Sequence, residues 1–199
     1  NKNYFVIRMG NIAETKLNIK HRNFVDYPFS KIKSDFLDVF LAYKAFFCIS
    51  NLTGYDGLIT MFRKPLLSIG SMPIGCMYSS SENYLNTIYP HYSKKLNRNI
   101  TIKEIFDLGL AFEFNKEKFD KNNIIIKKHS SKEIKIFVLE MIDYLKNKSK
   151  FKNYFLNKKA INSYKKIIKR YETEHGQTYN GKLYFFFSKF FLKKYKHLF

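Results

Sequence analysis

The sequence predicts an α/β fold in which helices cover both faces of a parallel sheet. Short runs of consecutive apolar residues, typical of strands buried on both faces, recur along the chain. In residues 46–70, an apolar strand (46–49) leads through a small-residue turn into a short helix and a second apolar strand (66–69). Strand, turn, helix and strand form a βαβ unit, which joins parallel strands.

The elements before this unit follow the same pattern. Residues 4–7 (Tyr-Phe-Val-Ile) predict a first buried strand and residues 24–27 a second. Between residues 34 and 45 the apolar spacing becomes helical, and Ser34 precedes it as an N-cap. The stripe that this helix is expected to bury comprises Phe36, Leu37, Phe40 and Leu41.

The second half of the chain reads as a long connection followed by helices. Residues 71–99 contain Pro73, Pro90 and a run of serines, which predict an irregular segment of functional or mobile character. Thr101 with Glu104 and Ser130 with Glu133 match the capping box, so a helix should begin at each. Further helices are expected over residues 158–171 and 183–198.

The positive charge of the chain is concentrated near its end. The formal net charge is +20, and residues 145–199 hold 15 Lys and Arg against two acids. We therefore divide the chain into a Rossmann-like domain, 1–145, and a basic, aromatic helical tail, 146–199, packing on that domain or on a partner domain. The composition of the tail is compatible with binding to an anionic membrane surface or an acidic partner, and equally with an ordinary solvated helix face. Nucleic acid is an unlikely partner.

Composition sets further bounds on the protein class. No apolar run approaches the about 20 residues that a membrane span requires. Cys48 and Cys76 stand in apolar surroundings and are predicted to be buried free thiols. Because the chain begins at Asn1 and a strand follows almost at once, we expect it to be a piece of a longer protein.

The turn after the strand at 46–49 is the main candidate for chemistry. Ser50, Thr53 and Gly54 form a small-residue turn at a helix start, where backbone N–H groups and the helix dipole favour an anion. Open α/β sheets bind ligands at the carboxyl ends of their strands. The turn is therefore a candidate phosphate or diphosphate site, although similar turns cap many ordinary helices.

Other candidates end or follow the first two strands. Arg8 offers a guanidinium to a diphosphate, or pairs with Asp26 or Asp38. Gly10 permits close backbone approach or serves a turn. Tyr27 either stacks on a base or lies in the core, and Asp38 binds ribose hydroxyls or simply complements the helix dipole.

Several common sites are absent from the sequence. There is no G-x-G-x-x-G, no Walker A loop and no Cys/His spacing for zinc. The histidines are scattered, and His21 and His91 are expected on the surface in loops. No complete catalytic constellation emerges, so the catalytic residues are not identified.

Together these motifs resemble a family of bacterial glycosyltransferases associated with surface-polysaccharide gene clusters. The resemblance covers nearly the whole chain, and its most specific motifs lie before residue 75. The matching segments are Val-Ile-Arg-Met-Gly at 6–10, Asp26-Tyr27, Ser-Asp-Phe-Leu-Asp-Val-Phe-Leu at 34–41, Phe46-Phe47, Thr53-Gly54, Lys64-Pro65, Glu133-Ile134, Glu140-Met141 and residues 181–199.

The resemblance implies the carboxyl-terminal, donor-binding half of a GT-B enzyme, whose two Rossmann-like domains face each other across a cleft. Such an enzyme would transfer a sugar from a nucleotide-sugar, without a metal or other cofactor, to a glycan or lipid-linked glycan of the cell surface. The acceptor site would lie on an amino-terminal domain that this sequence lacks. The implied location is cytoplasmic, peripheral on the inner face of the membrane.

By the same resemblance, Arg8, Thr53 and Gly54 would hold the diphosphate, Tyr27 would border the base and Asp38 would support that edge. The family has Ser-Gly-Leu after the strand, whereas residues 53–58 read Thr-Gly-Tyr-Asp-Gly-Leu. Either Thr53-Gly54 or Asp56-Gly57 therefore faces the phosphate. The alternative from another class is a non-enzymatic basic module that binds an anionic membrane or nucleic acid through its tail.

Overall fold

The structure, a computed structural model, describes residues 4–10, 12–147, 155–175 and 184–199. The strands are β1 (Val6–Arg8), β2 (Phe24–Asp26), β3 (Cys48–Ser50), β4 (Leu66–Ser71), β5 (Ser80–Ile88), β6 (His91–Ser93), β7 (Arg98–Asn99), β8 (Ile124–Ile126) and β9 (Tyr184–Phe187). The helices are α1 (Asp35–Lys44), α2 (Asp56–Met61), α3 (Ile102–Asp107), α4 (Lys116–Lys121), α5 (Ser131–Lys146), α6 (Phe155–His175) and α7 (Lys189–Lys194).

The main sheet is parallel throughout and has the strand order β3-β4-β5-β9. Every residue of β4 is buried, because helices and loops cover the sheet on both faces. Strands β3 and β4 are joined by α2 and pair in register, with Cys48 opposite Leu66 and Ser50 opposite Ser68. The predicted α/β class and the predicted βαβ unit are confirmed.

Strands β1 and β2 form a separate parallel pair. Among the described residues, this pair shares no hydrogen-bonded ladder with β3. The ring of Tyr4, two residues before β1, stacks on that of Phe46, two residues before β3, with 5.7 Å between centroids. The starts of β1 and β3 therefore lie side by side without forming one continuous sheet.

The prediction of an irregular segment over residues 71–99 is wrong. The segment contains β5, which pairs with β4 on one side and β9 on the other. Polar residues such as Asn86 and Thr87 interrupt its apolar pattern, although both are completely buried. Strand β6 follows and pairs antiparallel with β7 and β8 in a small second sheet.

The prediction of one helix over residues 183–198 is also wrong. Residues 184–187 form β9, and α7 begins only after Ser188, whose Oγ accepts the N–H of Phe191 at 3.1 Å. Consecutive aromatic residues are compatible with either element, and here they complete the parallel sheet. The sequence predicts that this segment carries one apolar stripe, formed by Leu183, Phe187, Phe190, Phe191 and Leu198. Phe187, Phe191 and Leu198 are buried against the domain, Phe190 is partly buried, and Leu183 lies outside the described residues.

Helices α3 and α5 begin where the sequence predicted, whereas α4 was not predicted. Both capping boxes are complete, since in each case the N-cap hydroxyl accepts a backbone N–H and the glutamate carboxylate accepts the N-cap N–H. Helix α6 contains the predicted segment 158–171. These signals are local, and the tertiary structure leaves them intact.

Helix α1 is correctly predicted, but only Leu37 and Leu41 of its predicted stripe lie on the inner side, where they are partly buried. Ser34 caps it as expected, with its Oγ accepting the N–H of Leu37 at 3.2 Å. Phe36 and Phe40 are 74% and 40% exposed, whereas Ala42 is buried. The helix therefore packs through the side opposite to the two phenylalanines, which stack on each other with 6.0 Å between ring centroids.

Both cysteines are free thiols, as predicted, but neither is fully buried. Cys48 is half-buried and Cys76 is exposed, so the predicted burial of Cys76 is wrong. Burial, reinforced by the charge of Asp56, raises the pKa of the Cys48 thiol to about 12. The thiol is therefore protonated at neutral pH and is a poor nucleophile.

The position of β9 predicts that Phe187 is a core residue. Replacing Phe187, which is fully buried, by alanine is expected to lower the free energy of unfolding by about 3–5 kcal/mol through the cavity that it leaves. The matched change Phe114→Ala, at a side chain 74% exposed, should cost less than about 0.5 kcal/mol. Urea denaturation measures both, and equal, small losses would contradict the assignment of β9 to the sheet.

Candidate functional site

The turn between β3 and α2 lies at the carboxyl end of the parallel sheet and is organised around a buried carboxylate. Asp56 is completely buried, and its Oδ2 accepts the backbone N–H of Thr53 at 3.0 Å. The Thr53 hydroxyl donates to the other carboxylate oxygen at 3.2 Å and lies 3.1 Å from the Ser50 hydroxyl. The N–H of Thr53 therefore points inward, contrary to the expectation that the N–H groups of the turn point outward.

Asp56 is placed where its charge is best tolerated. It occupies the first position of α2, where the helix dipole favours an acid, and its side chain closes a local turn on Thr53. Such bonds compensate the cost of burying a carboxylate. Burial, with a further contribution from Asp56, raises the pKa of the neighbouring Tyr78 to about 12, so its hydroxyl stays protonated.

The outer side of the turn is open. Thr53 and Gly54 are exposed, and a Cβ built on Gly54 would meet no atom within 4 Å. Leu52 has a φ of 67°, a left-handed conformation that leucine seldom adopts and that stores backbone strain in the turn. Thr53 and Gly54 are both exposed, whereas in the alternative pair only Gly57 is exposed and Asp56 is buried.

Tyr27 and Asp38 connect α1 to this turn. The Tyr27 hydroxyl donates to the carbonyl of Ser34 at 3.1 Å and accepts its N–H at 3.0 Å, and the ring is buried. The carbonyl of Asp38 accepts a hydrogen bond from the Tyr55 hydroxyl at 2.9 Å. Tyr27 thus lies in the core, the second of its two predicted roles, and its ring is not displayed for stacking on a base.

Arg8 is paired with Asp26, one of the partners that the sequence left open. Its Nη1 lies 3.2 Å from Asp26 Oδ1 and 2.8 Å from the carbonyl oxygen of Thr15, and Asp26 Oδ2 also accepts the N–H of Leu17 at 2.7 Å. These contacts hold the guanidinium beside β2. Gly10, just beyond, has a φ of 133° and open space around it, so its backbone is accessible.

A second polar cluster, which the sequence analysis did not recognise, surrounds Glu133 at the start of α5. One carboxylate oxygen accepts the N–H and the hydroxyl of Ser130, both at 2.8 Å. The other accepts the Lys194 ammonium at 2.9 Å and the Tyr195 hydroxyl at 3.0 Å, both from the chain end. Burial alone would raise the pKa of Glu133, but these donors hold it at about 2.

His129 lies against this cluster and is enclosed by aromatic rings. Its Nδ1 is 3.8 Å from Glu133, and among the described residues neither ring nitrogen has a hydrogen-bond partner. The rings of Tyr89 and Phe137 lie 5.3 Å and 5.0 Å from its own. Burial lowers the pKa of His129, opposed by Glu133, so the imidazole is neutral at pH 7.

His91 is buried as well, so the prediction that it lies on the surface is wrong, whereas His21 is exposed as expected. Burial lowers the pKa of His91 to about 4, and its Nδ1 lies 2.8 Å from the carbonyl oxygen of Tyr89.

The contact between His129 and Glu133 has one signal in the sequence, which is their spacing of four residues at the start of a predicted helix. The Glu133 cluster joins α7 to α5, and both Glu133 and His129 are buried within it, whereas Lys194 is exposed.

No protein family, curated protein or solved structure matches this chain. Within the described ranges, no three His, Cys, Asp or Glu side chains are grouped to hold a metal ion. No helix in the same part of the chain is both long and apolar enough to cross a bilayer. The site must therefore be interpreted from its own geometry.

The low pKa of Glu133 predicts a pH-dependent contribution to stability. Because the folded pKa lies near 2, below the ordinary value near 4.5, the contribution is complete above pH 4.5 and is lost as the pH falls toward 2. Glu133→Gln is expected to lower the free energy of unfolding by about 2 kcal/mol at pH 7. This deficit relative to the unmodified protein should shrink by pH 3, as urea titrations at the two pH values will measure.

Glu117→Gln is the matched control, since Glu117 is an exposed glutamate in the first turn of α4. It should change the free energy of unfolding by less than about 0.5 kcal/mol at either pH. A deficit for Glu133→Gln that is the same at pH 7 and pH 3 would rule out the proposed origin of the low pKa.

Proposed function

We propose that this chain is the donor-binding part of a GT-B glycosyltransferase and binds the diphosphate of a nucleotide-sugar beside the turn after β3. The observation that carries the proposal is the exposed Thr53-Gly54 pair at the carboxyl end of a parallel strand. Open α/β sheets bind their ligands at this edge, and small exposed residues permit phosphate oxygens to approach the backbone. The motif resemblance across the chain supports the same conclusion.

The proposed contacts divide into two groups. Ser50 offers a hydroxyl, and Gly54 offers a backbone that no side chain shields. The Thr53 hydroxyl would donate to the phosphate in exchange for its bond to Asp56. Gly10 offers a second open stretch of backbone after β1. These four residues are the ones that we assign to direct contact with the donor.

In this proposal, three further residues position the site without contacting the donor: Arg8, Tyr27 and Asp38. To contact a diphosphate directly, Arg8 would have to break its ion pair with Asp26. While the pair is intact, the two side chains together carry almost no net charge. Tyr27 fixes the start of α1, and Asp38 holds Tyr55 at the beginning of α2. We therefore assign these three residues to positioning.

Catalysis in such an enzyme would be mainly electrostatic. Hydrogen-bond donors around the leaving diphosphate stabilise the negative charge that develops as the glycosidic bond breaks. Glu133 is paired with Lys194 and Asp56 is buried, so we assign neither carboxylate as the catalytic base. We propose that the base and the acceptor site lie outside these 199 residues and that the chain alone does not turn over a donor.

A basic module that docks through its tail is a weaker alternative. Phe187, Phe191 and Leu198 are buried against the sheet domain, so they are not available to enter a lipid surface. Lys193, Lys194 and Lys196 remain at least partly exposed, but Lys194 is committed to Glu133. The described part of the tail therefore presents exposed lysines, while these three apolar side chains are buried.

Gly54 provides a sharp test of the proposed site. Gly54→Ala adds a methyl group that meets no protein atom, so the free energy of unfolding should change by less than about 0.5 kcal/mol. The same methyl group would obstruct a phosphate and should weaken binding of UDP, GDP, CDP or dTDP, whichever binds, by about tenfold. Isothermal titration calorimetry measures the change.

Gly57→Ala is the matched control, because Gly57 is equally open but lies within α2. It should leave nucleotide affinity unchanged and stabilise the helix slightly. Equal affinities for both variants, or no binding of any of the four nucleotides to the unmodified chain, would contradict the proposed site.

A further inference from the structure

Helix α1 is apolar on two opposite sides, which is unusual for a helix at the surface of a domain. Its inner side carries Leu37, Leu41 and the fully buried Ala42. Its outer side, which we call the α1 stripe, carries Phe36, Val39, Phe40 and Tyr43, exposed by 74%, 41%, 40% and 51%. A helix that is apolar on opposite sides is normally covered on both, and the described residues leave the α1 stripe partly exposed.

The residues of the α1 stripe form one continuous surface. They follow one another at spacings of three and four, which places them on the same side of the helix. The rings of Phe36 and Phe40 stack at 6.0 Å, and the ring of Tyr43 meets Phe62 edge-on at 5.6 Å. Ile32, in the loop that leads into α1, is 67% exposed and extends the apolar character of the region.

Positive charges border the α1 stripe. The Lys44 ammonium lies 5.8 Å from the Phe40 ring centroid and 5.3 Å from that of Tyr43. The Lys64 ammonium lies 5.2 Å from the Tyr43 centroid. Lys31 and Lys33 are exposed just before the helix.

Two acids lie on α1 itself. Asp35 is exposed in the first turn, and Asp38 is partly buried on the side that faces Tyr55. Four lysines therefore surround the α1 stripe with one exposed carboxylate, and the local charge is positive, as is that of the whole chain at +20.

The combination of exposed aromatic rings and bordering lysines favours one kind of binding partner for the α1 stripe over another. A symmetric contact with a second copy would bring lysines of like charge together around the same apolar patch, which opposes association. An anionic lipid surface suits both the rings and the lysines, since aromatic rings enter the interface while lysines remain at the level of the phosphates. A single convex helix of ten residues also fits a flat surface.

We propose that α1 docks the protein on an anionic lipid surface, with the α1 stripe entering the interface and Lys31, Lys33, Lys44 and Lys64 facing lipid phosphates. The sequence placed possible membrane contact in the basic tail, and the structure offers α1 instead. The proposal stands independently of the donor-binding function, because it rests on a different surface.

The test uses the full 199-residue chain and vesicles of phosphatidylcholine with about one third phosphatidylglycerol. Co-sedimentation should show binding to these vesicles that weakens in high salt and is absent for phosphatidylcholine alone. The double variant Phe36→Ser with Phe40→Ser should bind at least about tenfold more weakly, because two apolar insertions are lost. Its thermal midpoint should fall by only a few degrees, because Phe36 is 74% exposed and Phe40 is on the surface side of the helix, although partly covered.

The matched control is Phe114→Ser, a phenylalanine 74% exposed in the loop between α3 and α4, which should bind like the unmodified chain. Lack of binding to anionic vesicles, or equal binding by the double variant, would overturn the proposal. So would light scattering that shows a dimer abolished by the double variant, because a second copy would then cover the α1 stripe.

Discussion

The complete burial of β4 is the constraint on which the rest of the structure depends. All six of its residues are inaccessible, and it lies between β3 and β5 in the parallel sheet. Its polar residues must therefore bond internally: the Ser68 and Ser71 hydroxyls lie 2.9 Å apart, and the Thr87 hydroxyl of β5 accepts the N–H of Gly70 at 2.8 Å. A strand enclosed in this way leaves the loops at its ends as the place for chemistry.

Local signals allowed much of the fold to be predicted, and long-range pairing accounts for what was missed. The βαβ unit and both capping boxes depend on residues close in sequence, so they can be predicted from the sequence alone. Strand β5 was not predicted because Asn86 is buried by pairing with distant segments, opposite Ser68 of β4 on one side and Phe187 of β9 on the other. The aromatic run at 184–187 became a strand only because β5 offers it a free edge.

The candidate site shows the same division between local and long-range information. The turn and Arg8 were found from sequence, but the choice between Asp26 and Asp38 was not. Strands β1 and β2 pair with Arg8 directly opposite Asp26, and this register decides the partner. The inward direction of Asp56 and the clamp between Glu133 and Lys194, 61 residues apart, likewise depend on the folded chain.

The central claim is that a nucleotide diphosphate binds beside the turn after β3. The most direct measurement is a titration of the ¹⁵N-labelled chain with UDP, GDP, CDP and dTDP, followed by amide chemical shifts. We expect one of these nucleotides to shift the amides of Ser50, Thr53 and Gly54 most strongly, with Gly10 next. Shifts confined to other surfaces, or no shift with any of the four nucleotides, would contradict it.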